Sequence, residues 1–368
     1  MLCERCIART GIDVKPVEPE NCLICSGILW RIDEVAKEVA KKLEGYEFRT
    51  FSVGSRVRGS LKALEDYLGV KSLKVEFNRE LAKELSKLLG AKPVKENPDV
   101  VVIYDLEDLR AEVEIMPVYV YGRYKKRVRG ISQTRWLCGM CGGRGCEKCG
   151  WTGRKYVSVE EILGERMILV FKGESYVLHG SGREDVDARM LGTGRPFIME
   201  IRRPKRRYVD LGELERTVNV GGKVVVTDLR YAKPKDVEFL KSAGFRKVYR
   251  AKVVFEREVS EEELLKAVKE LEGRTIEQWT PLRVLHRRAN ILRRRRVYRV
   301  EVLLHRKWVA VLRIEADSGL YIKELISGDE GRTKPSLSEL MGLRAWVEKL
   351  DVLEVKGGLD HVYGRLSG

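Results

Sequence analysis

Eight cysteines, at positions 3, 6, 22, 25, 138, 141, 146 and 149, stand as four CxxC pairs in two tight clusters, with none left over. A disulfide framework spreads its cysteines through a short secreted chain, whereas neighbouring CxxC turns offer four thiolates to one tetrahedral metal ion. Cys3-x-x-Cys6 and Cys22-x-x-Cys25 are separated by fifteen residues, the spacing of a zinc ribbon. Four thiolates leave no open coordination position, so zinc held there is structural. Only four residues separate Cys138-x-x-Cys141 from Cys146-x-x-Cys149, so both pairs can wrap one ion as a zinc knuckle. Glycines crowd this second cluster because tight thiolate turns need positive φ. The chain is expected to carry one or two structural zinc ions, with its thiols kept reduced in the cytoplasm.

Length and charge narrow the class further. A chain of 368 residues has room for two or three domains. Lys and Arg number 71 against 55 Asp and Glu, a net +16 that favours a polyanionic partner. With 43 % apolar residues the chain folds and is not a disordered basic tail. No apolar run approaches the roughly 20 residues that span a bilayer, and the N-terminus lacks a signal-peptide pattern. Membrane, secreted and fibrous classes are excluded. Gln133 and Gln278 are the only glutamines amid abundant Lys, Arg and Glu, a bias that resembles thermophile proteins.

Four stretches follow along the chain: 1–27 with the first cysteine cluster, 28–130, 131–154 with the second, and 155–368. In the second stretch Ile32, Val35, Ala36, Val39, Ala40 and Leu43 repeat at helical spacing. Further helices are expected near Leu61–Leu68 and Arg79–Leu89, and strands at Val100–Tyr104 and Glu112–Tyr121, the latter ending at Gly122. The basic, aromatic-interleaved run Arg123–Arg129 is either a solvated hairpin tip or, given the charge balance, a phosphate contact. In the last stretch Val157–Leu163 favours helix, and Met167–Phe171, Gly221–Thr227 and Lys247–Phe255 read as strands. A helix is expected near Asp236–Ser242. Ser260 to Glu263 form a capping box that opens a helix through Leu271. Val297–Leu304 and Trp308–Ala316 read as a long hairpin. Helices and strands without strict βαβ alternation indicate an α+β fold with a mixed or antiparallel sheet.

Chemistry is confined by what is missing. There is no Walker A sequence, no HExxH and no glycine-rich dinucleotide loop, so no nucleotide cofactor is expected. Four histidines argue against a histidine-held metal centre, leaving carboxylates, tyrosines and cations. Ser181–Phe197 packs three carboxylates and three arginines between glycines. A carboxylate fixed between cations stays ionised and can act as a nucleophile. Lys323, near a helix N-terminus where cations are disfavoured, calls for a carboxylate partner. Arg283, His286, Arg287, Arg288 and Arg293–Arg296 form a dense basic run, a polyanion contact or mobile arm.

GREDVDARMLGTGRPF (Gly182–Phe197), TPLRVLHRR (Thr280–Arg288), SGLYIKELISGDEGRTKPSL (Ser318–Leu337) and the N-terminal CxxC pairs together resemble the archaeal Pus10 family of tRNA pseudouridine synthases. The resemblance implies an α+β pseudouridine synthase catalytic domain at 155–368, with a central mixed or antiparallel sheet. It implies a THUMP-like RNA-binding domain at 28–130, following the zinc ribbon at 1–27, with the zinc knuckle and linker at 131–154. Such enzymes attack uridine through one Asp without a cofactor, detach the base, turn it and rejoin it through C5. The family motif falls on Asp185 as nucleophile, with Asp187 as the alternative, and on Lys323 as its basic partner. Tyr249 falls where the family packs a tyrosine on the target base and helps remove the C5 proton, with Tyr321 as the fallback. Ile322 and Leu350 fall on pocket walls, and Arg183, Tyr321, Arg287 and Arg288 on further substrate contacts. The expected substrate is tRNA, at uridines 54 and 55 of the TΨC arm, and the expected state is a monomer. Two other classes compete. A THUMP-type methylation or thiolation enzyme needs a cofactor loop that is not visible, and a non-catalytic zinc-ribbon tRNA-binding protein has no need of Asp185, Lys323 and the tyrosines together.

Overall fold

The computed structural model describes residues 1–359, and their contacts divide the chain into two compact units. One comprises Met1–Val118, Ile168–Ser175 and Ile201–Val209; the other holds the rest.

The first unit contains helices α1 (Glu4–Thr10), α2 (Ile32–Lys42), α3 (Gly59–Leu68) and α4 (Leu73–Leu89), with strands β1 (Thr50–Arg56), β2 (Lys92–Pro93), β3 (Val100–Asp105) and β4 (Arg110–Ile115). The sheet runs β2-β1-β3-β4, with β1 parallel to both neighbours and β3 antiparallel to β4. Leu73, Phe77, Leu81 and Leu85 recur every fourth residue of α4 and are almost wholly buried. This seam begins six residues before the expected start at Arg79, because Leu73 and Phe77 belong to the same apolar row. They share one core with Val35, Ala36 and Val39 of α2, the strand residues Phe51, Val100 and Val102, and all four N-terminal cysteines.

The second unit is built on a mixed sheet of ten strands. In chain order these are β5 (Val118–Lys126), then, after the separate short pair β6 (Trp136–Leu137) and β7 (Arg154–Tyr156), β8 (Ser175–Gly180), β9 (Arg189–Arg202), β10 (Val224–Ala232), β11 (Lys247–Phe255), β12 (Thr275–Gln278), β13 (Arg293–Arg306), β14 (Val309–Ala316), β15 (Thr333–Lys334) and β16 (Ala345–Val355). The path is β10-β5-β9-β16-β11-β14-β13-β12-β15, with β8 beside β9. The β9–β16 pair is parallel and the pairs from β16 through β15 are antiparallel. Helices α5 (Val159–Phe171), α6 (Leu211–Val218), α7 (Pro234–Ser242), α8 (Glu261–Leu271), α9 (Ile322–Ser327) and α10 (Leu337–Met341) punctuate the strands. This is an α+β fold with a central mixed sheet. The Ser260 hydroxyl accepts from the Glu263 amide at 3.1 Å and caps α8, while the Glu263 carboxylate pairs with Arg257 at 2.6 Å and leaves the other half of the expected box unmade.

Five expectations need correction. Met167–Phe171 is the end of α5 and not a strand: Val159, Leu163, Met167 and Phe171 form an i, i+4 row with no exposed surface, and a five-residue apolar run cannot by itself distinguish the two periods. The segment Glu112–Tyr121 is two strands, broken at Met116-Pro117. Gly122 lies within β5 and ends nothing; a Cβ there would stand 2.6 Å from Leu229, so the position is one of close packing. Arg123–Arg129 is no free basic tip. Tyr124 and Lys126 are fully buried, and Arg123 donates to the carbonyls of Thr193, Val355 and Gly357 at 2.7–2.8 Å. Arg293–Arg296 is no mobile arm, since these residues open β13 and pair with Thr275–Gln278 of β12. The strand expected at Gly221–Thr227 begins at Val224 and continues to Ala232.

Candidate active site

The loop between β8 and β9 carries Asp185, and a buried polar cluster fixes its backbone. The Glu184 carboxylate accepts from the Tyr124 hydroxyl at 2.8 and 3.0 Å and from Arg195 Nε at 2.8 Å. Arg195 also donates to the Ser181 carbonyl at 2.7 Å. Gln133 donates to the Tyr124 hydroxyl and the Gly182 carbonyl, both at 2.9 Å. Lys126 Nζ donates to the Ile131 and Asp185 carbonyls at 2.7 and 3.0 Å. A fully satisfied buried network of this kind holds one backbone geometry, because any unpaired member in a low-dielectric interior is costly. Gly182 supplies the positive φ of +77° that the turn into Asp185 needs.

Asp185 is thereby held at the wall of a cavity of about 280 Å³. Its carboxylate lies 3.1 Å from Arg283 and 3.4 Å from Lys323. Burial pushes its pKa up, but Arg283 and then Lys323 outweigh burial and hold it below the usual carboxylate value. Lys323 sits in the first turn of α9 and donates to the Asp187 carboxylate at 2.7 and 2.9 Å, so its carboxylate partners are two. Asp187 is 63 % exposed and does not line the cavity. The loop is not extended, so strand alternation does not separate the two aspartates; exposure does.

Tyr249, Tyr321, Ile322 and Leu350 line the same cavity, as do Arg183, Arg288 and Lys323. Tyr249 projects from β11, where burial holds its hydroxyl pKa at about 12, Arg195 opposing and Asp185 assisting. Tyr321 caps α9; its backbone exchanges hydrogen bonds with the buried Gln278 side chain at 2.8 and 3.1 Å. Arg288 donates to the Tyr321 hydroxyl at 3.5 Å. Arg287 lies in the 3₁₀ turn Leu282–Arg287, and its side chain falls outside the described residues.

Sequence reasoning missed four contributors. Arg283 was one member of a basic run; it bridges Asp185 and Glu324, with its Nε 2.6 Å from the Glu324 carboxylate. The two glutamines, counted only as a compositional bias, are both buried beside the site. Their survival in a chain otherwise free of Gln was the available signal. Lys247 also lines the cavity, two residues before Tyr249 on the same strand.

The cysteines gather as their spacing requires. In each cluster all four Sγ atoms lie within 4.8 Å of one another, and all eight thiols are free. Zn–S bonds of about 2.3 Å in a tetrahedron place sulfurs roughly 3.8 Å apart. Cys138–Cys146, Cys146–Cys149 and Cys141–Cys149 stand at 3.9, 3.7 and 4.0 Å, so the donor set fits zinc. Burial raises the Cys149 thiol, but the amides of Cys146 and Gly153 donate to its sulfur and help bring its pKa to about 6.

A loop held by a buried network presents one carboxylate between two cations, beside a tyrosine and apolar walls, which makes this a carboxylate-centred candidate active site on an α+β sheet. The family model "Pus10, C-terminal" matches residues 119–356 and "Pus10 THUMP domain, archaeal" matches residues 35–105. The chain is 51 % identical to a protein of Archaeoglobus fulgidus called tRNA pseudouridine synthase Pus10, over 96 % of this chain and 99 % of that one. It is 47 % identical to a protein of the same name from Methanopyrus kandleri, over 95 % and 85 %. The solved "Crystal Structure of a Cbf5-Nop10-Gar1 Complex" overlaps 53 % of this chain and 44 % of that one, at 20 % identity and a TM-score of 0.34. The chain belongs to the Pus10 family.

Proposed function

We propose that this protein isomerises uridine to pseudouridine at positions 54 and 55 of the TΨC arm of tRNA, with Asp185 as nucleophile. Membership of the Pus10 family supports the enzyme class, and the ionised, cation-flanked Asp185 carboxylate at the cavity wall is the observation that carries the mechanism. A carboxylate held below its usual pKa is charged at pH 7 and can attack the sugar. Lys323 and Arg283 orient it, while Tyr249 offers an aromatic face to the flat uracil between Ile322 and Leu350. A base within folded tRNA must leave its stack to enter such a cavity, and Arg183, Arg287 and Arg288 are placed in this reading on the displaced backbone. No cofactor enters any step. The two four-cysteine clusters hold structural zinc, which keeps their loops folded and takes no part in the reaction.

In this reading the zinc ribbon at 1–27 and the THUMP-like domain at 28–130 engage tRNA at a distance from the target, and the knuckle at 131–154 leads into the catalytic domain at 155–368. The protein works in the cytoplasm as a monomer. Methylation and thiolation find no support, and a purely binding role leaves Asp185 and Lys323 without purpose. Incubating the protein with an unmodified tRNA transcript and no cofactor tests the reading. Pseudouridine at 54 and 55 is expected; conversion elsewhere in the tRNA refutes the site preference, and none at all refutes the activity.

A further inference from the structure

Forming a C1′–C5 bond in place of C1′–N1 leaves a hydrogen on C5 that the product does not keep. Some group must take that proton, and the pocket holds more than one candidate. Lys247 and Tyr249 occupy alternate positions of β11, so both point to one face of the sheet, and both line the cavity beside Asp185. Lys247 is 5 % exposed. Its strand partners are Ala316 and Val355, neither of them charged. Its Nζ donates to the Ser318 hydroxyl at 3.0 Å, and no ion pair reaches it among the described residues. The nearby charges are Arg195 and Glu184, which are bound to each other, and Asp185, which is bound to Arg283 and Lys323. The amine also presses on the loop that carries the nucleophile, since a Cβ at Gly182 would stand 2.8 Å from Nζ.

We propose that Lys247 contacts the target uracil and is the base that removes the C5 proton, a step that rests on the isomerase reading above. In this step the C5–H bond breaks and its proton bonds to the neutral Nζ. The electron pair forms the C5=C6 bond, and the C6=N1 pair moves onto N1, which takes a proton from water. The ammonium then returns its proton to solvent. Nothing is oxidised or reduced.

Burial drives the Lys247 pKa down to about 7, with Arg195 adding to the effect and Glu184 opposing it. A large fraction of the amine is therefore neutral at pH 7, as a general base needs. The Tyr249 hydroxyl, held at about 12, keeps its own proton under the same conditions and serves to position the ring.

The test compares three tRNA substrates, carrying uridine, 5-deuterouridine or 5-fluorouridine at the target. Fluorouridine has no C5 proton to lose, so breaking its glycosidic bond and forming the C1′–C5 bond need no base. Lys247→Met is expected to slow pseudouridine formation about 100-fold or more and to unmask a primary isotope effect with deuterium. Its processing of fluorouridine tRNA is expected to stay within a few-fold of the unsubstituted protein. Lys247→Arg, which fills the site but has no lone pair at neutral pH, is expected to show the same split. Equal loss on uridine and fluorouridine in both variants assigns Lys247 a purely structural role and overturns the proposal, as does full activity of either variant or an absent isotope effect. Failure of the unsubstituted protein on every substrate overturns the isomerase reading itself, and this step with it.

Discussion

The Arg283 guanidinium lies 3.1 Å from the Asp185 carboxylate, although 98 residues separate them in the chain. Arg283 is the stronger of the two cations that hold Asp185 ionised against burial. Replacing it by Met leaves Lys323 alone to do so. Arg283→Met is expected to move the acid limb of the pH–rate profile to higher pH and to lower the rate at pH 7 several-fold. The sign follows from the depressed pKa: the active, ionised form is lost as pH falls through the folded value, and that value rises in the variant. A profile from pH 3 to 8 that does not move assigns Arg283 to RNA contact alone.

Metal content is the second expectation. Two filled clusters give about two zinc ions per chain by elemental analysis of the purified protein. The N-terminal cysteines belong to the core of the first unit, so Cys22→Ser is expected to lower its melting temperature. A full zinc complement without those thiols, or no zinc in the unsubstituted protein, contradicts the assignment.

Asp351 offers a stability test independent of activity. Burial raises its pKa, but hydrogen bonds from Arg189 and Arg250, joined by Arg129, bring it down to about 2. Against an unfolded value near 3.9, this carboxylate contributes about 2 kcal/mol above pH 4. The contribution is lost as pH falls through about 2, because protonation then costs the pairing in the folded state alone. Asp351→Asn is expected to lose that much at pH 7 and to show a shallower acid destabilisation by urea titration; equal acid slopes would refute the linkage.

Glu184→Gln removes the carboxylate that pairs with the buried Arg195. An uncompensated guanidinium at that depth costs about 3–5 kcal/mol. Because the same cluster anchors the carbonyls on either side of Asp185, activity is expected to fall before the protein melts. A stable, fully active variant would show that the network does not set the loop.

Local signals carried much of the fold. The Ser260 cap of α8, the strand at Lys247–Phe255 and the helical row from Ile32 each depend on neighbours within a turn or a strand, and each appears as expected. Met167–Phe171 failed because its decisive partners, Val159 and Leu163, lie a full turn or more upstream. Charge patterns were harder. Arg123 and Lys126 look like free surface cations in one dimension, but backbone carbonyls absorb them in three, while Arg294 and Arg296 do stay exposed but on a paired strand. The motif residues Asp185 and Lys323 were legible through the family's pattern. The pairing of Arg283 with Asp185 and Glu324, and the bonds that join Tyr124, Glu184 and Arg195, were not, although most of these residues stand in the same motifs, since contacts made through the fold leave no trace in local spacing.

The central claim is that Asp185, and not its neighbour Asp187, attacks the uridine. A pseudouridine map of unmodified tRNA after incubation with Asp185→Ala and, separately, Asp187→Ala tests it most directly, with tRNA binding measured alongside. Asp185→Ala is expected to bind tRNA and form no pseudouridine, while Asp187→Ala remains active at a reduced rate. Conversion by Asp185→Ala together with a dead Asp187→Ala would contradict the account and move the nucleophile two residues along the loop.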